Sequence, residues 1–421
     1  MRDSQFSHLC TALLGTASML RFIGYDMATL IVESVLHSAY QRDNETIVNH
    51  AGYYGQAVKE VWAMVLGATL FATYVASFLY IHNILYFFAN ALLGFAYSIN
   101  ATAFSTYQTE FSTKQNLARN AARIWGIADI RHLPFPFPPH LQISLIIGGI
   151  IYIVVSSTSN ALALEGHRYY SAEETRLMYT VFTSVSFASL LVYLALPTRQ
   201  LPDSVAALYP RQKLGIREQG AAVVSMLIHP SLLLLIPRSI HYGFFLSFMM
   251  NVYPTTLQFS TILASRYPFL AAYYGMSKGL GCILGMFGTG YLNKRIKDYA
   301  LGPLQAITLL LQLLVFSMVL ASTPQWSATR PTTEEGLLFA PSLLWALSIG
   351  VLLGLVDSFQ NTSTMVVCSR ILPERMAHVH SARRFYAVMA GSIGFMIIVR
   401  SLRKTAEGTK ASVESTTSST A

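Results

Sequence analysis

The chain has 421 residues, a net charge of +9 and 53% hydrophobic residues, while charged residues make up only 12%. Soluble domains carry about 25% charged residues, which argues against a soluble globular enzyme, and disorder would need low hydrophobicity with high charge. The excess Lys and Arg sits in short loops between apolar runs, the pattern of a membrane protein and not of a nucleic-acid binder.

A hydrocarbon core of about 30 Å takes about 20 apolar helical residues. Ten candidate spans follow in chain order. They are Leu9–Ser38, Trp62–Ile81, Ile84–Tyr107, Leu141–Ser157 and Leu177–Leu196, then Leu232–Tyr253, Phe269–Leu292, Leu301–Ser322, Pro341–Ser363 and Phe385–Val399. The first is too long and too polar for a cleaved signal peptide. Before the fourth lies Leu133-Pro134-Phe135-Pro136-Phe137-Pro138-Pro139. Each proline there removes a donor and blocks a helix, so the run reads as an insertion that cuts a longer helix in two. Cys10, Cys282 and Cys368 lie far apart without a CxxC or Cys/His partner. Neither a zinc site nor a disulfide framework is expected, and no metal or cofactor.

Sidedness follows from the loops. Basic residues fill 108–132, 197–229, 293–299 and 369–384, whereas the intervening loops hold Glu165, Glu173 and Glu174, then Glu334 and Glu335. Basic loops belong inside. The sequon Asn44-Glu45-Thr46 places the first loop outside and makes Asn44 a candidate glycosylation site. Two spans later the basic loop at 114–131 would then also be outside, so the parity is off by one crossing. The Ser/Thr-rich tail 401–421 is off by one again, and its composition suggests disorder.

Several stretches, in order, resemble the Unc-ninety-three-like family, a branch of the major facilitator superfamily. They include Asn49-His50-Ala51-Gly52-Tyr53-Tyr54-Gly55-Gln56-Ala57, Leu30-Ile31-Val32-Glu33-Ser34-Val35 and Leu92-Leu93-Gly94-Phe95. Arg119-Asn120, Val252-Tyr253-Pro254-Thr255 and the run from Gly350 to Thr362 follow. The resemblance implies an all-α polytopic membrane protein, a major-facilitator-like bundle of twelve helices in two halves with both termini inside. Against that pattern this chain has about 10 of 12 helices. It passes from Gln56-Ala57 directly to Trp62 and stops short of a twelfth helix, at the two places where charge parity fails. The expected organisation is an N-terminal half at 1–196, a cytoplasmic loop at 197–230, a C-terminal half at 231–400 and the tail at 401–421.

Charges inside spans cost about 2.5–3.5 kcal/mol each on insertion scales and usually face a bundle interior. Asp26 and Glu33, seven residues apart, share a face of the first span, and Arg21 is only loosely aligned with Asp26. Arg238, His241, Lys278 and Asp357 are the candidates in the other half. By the family's pseudo-symmetry, Arg238 and His241 would face Asp26 or Glu33 across the two halves. A structural ion pair and a hydrogen-bonded packing histidine are the plainer alternatives. Gly281-x-x-x-Gly285 and Gly350-x-x-x-Gly354 are small-xxx-small patterns suited to helix packing. Tyr25-Asp26 with Gly354-Leu355-Val356-Asp357 only superficially suggests an intramembrane aspartyl dyad, because Val356 stands where a second glycine is required. No P-loop, HExxH or nucleophile elbow is present, and no catalytic residue is expected.

The leading expectation is a non-enzymatic multi-pass protein whose partners are the bilayer and another membrane protein. From the resemblance, that partner is a potassium channel under regulation or a receptor in transit. The alternative is a secondary transporter with an ion or small molecule bound between the halves. A truncated, inactive form is the third reading.

Overall fold

The computed structural model describes residues 3–42, 64–113, 120, 140–158, 162–164, 167–197, 201–204, 207, 224–292, 295–296, 302–371, 379, 382–391 and 393. The described residues are almost entirely helical. In the first half, α1 (Asp3–Arg42), α2 (Met64–Ser77), α3 (Asn83–Glu110) and α4 (His140–Ser157) lead into a short hairpin, β1 (Leu162–Leu164) and β2 (His167–Tyr169), and then α5 (Ala172–Leu194). In the second, α6 (Pro230–Leu233), α7 (Ile236–Ser247), a π-helical turn (Phe248–Val252), α8 (Tyr253–Phe259) and α9 (Thr261–Ala264) form one broken span. After it come α10 (Leu270–Leu292), α11 (Gly302–Ser322) and α12 (Leu343–Ile371), and α13 at 382–391. A helix lies on each of the ten expected spans. Four stretches, Gln5–Val32, Ala172–Leu194, Gly302–Ser322 and Leu343–Thr364, are by themselves long and apolar enough to cross a membrane.

Helix α1 has 40 residues and no proline, which makes it about 60 Å long at 1.5 Å per residue. It runs antiparallel to α5. Tyr193 lies 3.1 Å from Ser18 at one end, and the Tyr170 amide reaches Ser38 at the other. Helix α2 runs parallel to α1, since Phe71 packs on Tyr25 while Phe78, further along, stacks on Tyr179 of α5. Arg42, the end of α1, and Met64, the start of α2, therefore lie at opposite ends of the bundle, a change of ends between the two helices. With that change, the end of α3 and the end of α5 meet, where the Leu201 amide donates to the Glu110 carbonyl. Asn44, the proline run, most of the central loop and the tail lie outside the described residues. So do the positions of the expected second and twelfth helices.

The broken span has a covalent cause. Pro237 opens α7 and Pro254 sits in the first turn of α8. A proline inside a continuous helix clashes with the carbonyl four residues back, and the widened π turn just before Pro254 accommodates it. The Tyr274 hydroxyl donates to the Met249 carbonyl in that turn at 2.6 Å. At Ser260 the backbone turns extended (φ −76°, ψ 101°) and pairs with Thr332.

Close glycine packing joins the elements. A Cβ on Gly148 would come within 2.7 Å of Met27 in α1, and one on Gly149 within 2.8 Å of Met276 in α10. These neighbouring residues let α4 approach both halves. Gly281, Gly285, Gly350 and Gly354 all lie where α10 meets α12. Side chains at Gly281 and Gly354 would overlap the Val351 and Lys278 carbonyls, and one at Gly285 would come within 2.8 Å of Ser358.

Candidate functional site

At the centre, both halves contribute charge. Lys278 of α10 lies 3.7 Å from the Asp357 carboxylate of α12, and both side chains are nearly excluded from solvent. Asn361, one turn beyond Asp357, donates to its carboxylate at 2.8 Å. The Tyr242 hydroxyl of α7 donates to the side-chain amide oxygen of Asn361 at 3.1 Å. The Lys278 ammonium also lies 3.3 Å from the Met250 sulfur, which the π turn presents to it. From the other half, Asp26 of α1 accepts a hydrogen bond from Ser144 of α4 at 3.3 Å. It is partly buried and interacts electrostatically with Lys278, Asp357 and Arg21. Lys278 and Asp357 are thus paired, and Asp26, across the interface between the halves, interacts with them electrostatically.

The other expected residues lie elsewhere. Arg238 donates to Thr364 at 3.1 Å and to the Gln360 carbonyl at 3.4 Å, both on α12 of its own half. His241 is on the exposed side of α7. The expectation that these two face Asp26 is thus corrected. Pseudo-symmetry at the sequence level misplaces Arg238 because its acceptors are neutral groups within its own half. Glu33 belongs to α1, and its side chain lies outside those described. Asp357 is engaged by Lys278 and Asn361, an arrangement unlike two carboxylates that share one proton.

Sequence reasoning missed Ser144, Tyr242, Met250 and Asn361. Only Asn361 carried a signal, its spacing of four residues from Asp357. Arg21 is visible in the sequence as a charge within the first span but is not among the chosen candidates. Its guanidinium, in a residue 4% exposed, lies 4.3 Å from the Phe22 ring centre and 4.8 Å from that of Phe71.

A second cross-half contact closes the hairpin end. Arg168 of β2 pairs with Glu174 and donates to the Pro268 carbonyl at 3.1 Å. It also lies over the rings of Tyr152, Tyr170 and Phe269. Burial raises the Tyr170 hydroxyl well above the ordinary tyrosine range, so it stays protonated; it lies 2.7 Å from the Tyr152 hydroxyl. Arg42, at the end of α1, donates to the Tyr170 carbonyl. Between the two layers, the Gln258 amide donates to the Leu30 carbonyl of α1 at 3.0 Å.

The two-half helix bundle is the fold of major facilitator proteins. Solved structures sharing it include the E. coli fucose:proton symporter FucP, 12% identical, with a TM-score of 0.54 over 96% of this chain and 93% of that one. A peptide transporter, POT, is also 12% identical, with a TM-score of 0.57 over 94% and 92%. Within this class the chain belongs to the UNC-93 family, whose model, described as "Ion channel regulatory protein UNC-93", matches residues 55–400. Among curated relatives, the UNC93-like protein MFSD11 of Xenopus laevis is 21% identical over 420 residues, covering 91% of this chain and 88% of that protein. The Xenopus tropicalis counterpart is also 21% identical, over 417 residues. The chain is thus an integral, multi-pass membrane protein of the UNC93-like type.

Proposed function

We propose that this chain is a secondary carrier in which Asp26 takes up a proton as the two halves move on each other. The observation that carries the reading is the cluster of Asp26, Lys278 and Asp357 across the interface. A carrier of this fold binds its cargo between the halves near the midplane, and ionisable side chains there mark ion and proton pathways. Asp26 suits proton exchange better than Asp357. Asp357 is held by Lys278 and Asn361, whereas Asp26 has one long hydrogen bond from Ser144 and is partly open. The groups facing Asp26 are Arg21 on its own helix, Ser144 on α4, Lys278 on α10 and Asp357 on α12.

The test uses the full chain in liposomes loaded with a pH-sensitive dye. A panel of small sugars, peptides and carboxylates is added under an inward proton gradient. Internal acidification with at least one compound, lost in Asp26→Asn, is the expected result. The family description supports a second reading, a regulatory partner of an ion channel. If no compound acidifies the lumen while co-expression alters a potassium current equally for wild type and Asp26→Asn, the carrier reading fails and regulation takes its place.

A further inference from the structure

We infer that Arg21 is an anion-binding subsite, and that the cargo carries a carboxylate or phosphate group that binds together with a proton. The substrate class rests on the carrier reading above; the binding site itself does not.

Arg21 projects from the middle of α1 in a residue only 4% exposed, yet its Nε and Nη1 atoms have no hydrogen-bond partner. Among the described residues no carboxylate lies within ion-pair distance of it. Asp26, the nearest candidate in sequence, turns to Ser144 and the Lys278 side of the interface. An unpaired charge inside a membrane protein is costly to keep. The rings of Phe22 and Phe71 explain how it is held. They attract a cation through their faces but accept none of the in-plane N–H bonds. An arginine held by ring contacts, with Nε and Nη1 unused, is set to receive a planar carboxylate or a phosphate.

The charges in the vicinity say what accompanies that anion. Lys278 pairs with Asp357, while Asp26 and Arg21 have no ion-pair partner among the described residues, so the described central cluster carries no net charge without cargo. One bound monoanion leaves it with one negative charge in excess. A proton on Asp26, which interacts electrostatically with Arg21, restores neutrality. Anion and proton would therefore bind together and cross together, with no net charge moved.

The experiment uses the purified full chain in nanodiscs, titrated with lactate, succinate and inorganic phosphate, and with lactamide as the uncharged counterpart of lactate. Thermal stability is the readout. A saturable rise with at least one of the anions and none with lactamide is expected. Arg21→Lys, which keeps the charge but not the fork of donors, should weaken binding roughly tenfold or more. Arg21→Met should abolish binding while leaving the anion-free protein at least as stable as wild type, because an unpaired buried charge has been removed. A response of Arg21→Met equal to wild type, or no response of wild type to any of the three anions, overturns the inference. So does a large loss of anion-free stability in Arg21→Met, which would mark the guanidinium as a structural cation for the two rings. Anion binding without proton uptake in liposomes sinks the carrier reading and leaves the subsite. Proton uptake that is indifferent to Arg21→Met does the reverse.

Discussion

Replacing Lys278 with methionine tests whether the central cluster is held by its single ammonium. Methionine keeps most of the length and volume of the side chain, so packing against the π turn is largely preserved. What is lost is the cation 3.7 Å from Asp357, in a pair whose side chains are 5% and 11% exposed. Removing one member of a buried pair costs about 3–5 kcal/mol, because the other is left as an uncompensated charge. The same cation also interacts with Asp26, so the upper half of that range is expected. Replacing both partners is different: Lys278→Met with Asp357→Asn removes the stranded charge as well as the attraction, and such double replacements are often close to neutral. The carbonyl oxygen of the introduced amide can still accept from Asn361, as the carboxylate does. The assay is a double-mutant cycle on unfolding midpoints in a detergent titration, with wild type, both single variants and the pair. A double variant less damaged than Lys278→Met alone is the expected outcome. A cycle in which the two single losses simply add would show that the residues do not act as a pair, and the description of the cluster would be wrong.

Other consequences are simpler. Gly281→Ala should destabilise by about 1–3 kcal/mol, since its Cβ would overlap the Val351 carbonyl. Gly288→Ala, seven residues on with nothing within 4 Å of its Cβ, should gain up to about 1 kcal/mol from helix propensity; equal effects in the same thermal assay would refute the α10–α12 packing. Arg168→Ala should open the hairpin end, read as faster labelling of a cysteine placed at Ser38 by a membrane-impermeant maleimide, and unchanged labelling would refute the closure. Gln258→Leu removes the side-chain bond to the Leu30 carbonyl and should cost about 0.5–1.5 kcal/mol, measurable by the same detergent titration.

The spans were legible because apolar length is a property of local sequence. A helix lies on each of the ten runs of hydrophobic residues that marked them. The breaks in the span from Pro230 to Ala264 were only half legible. Pro237 and Pro254 announce trouble, but whether a proline kinks, widens or ends a helix depends on what fills the freed carbonyls. Here Tyr274, on a different helix, serves the Met249 carbonyl.

The site was legible as a set of residue types and not as a set of partners. Asp26, Lys278 and Asp357 stand out in any hydropathy reading, because each costs free energy that something must offset. Lys278 and Asp357 meet where Gly281 and Gly354 let α10 approach α12, while Gly148 and Gly149 set α4 against α1 and α10, and nothing in the local sequence says which helix those glycines face. Arg238 fails for the same reason in the opposite sense. It is as conspicuous as Lys278, yet its partners are Thr364 and a backbone carbonyl within its own half, which are neutral and carry no charge signal. A buried cation therefore separates into kinds only when its partners are known. Arg238 has neutral acceptors and Lys278 has a carboxylate. Arg21 has ring faces and two idle donors, which makes it the position where an incoming anion would find hydrogen-bond donors not already in use.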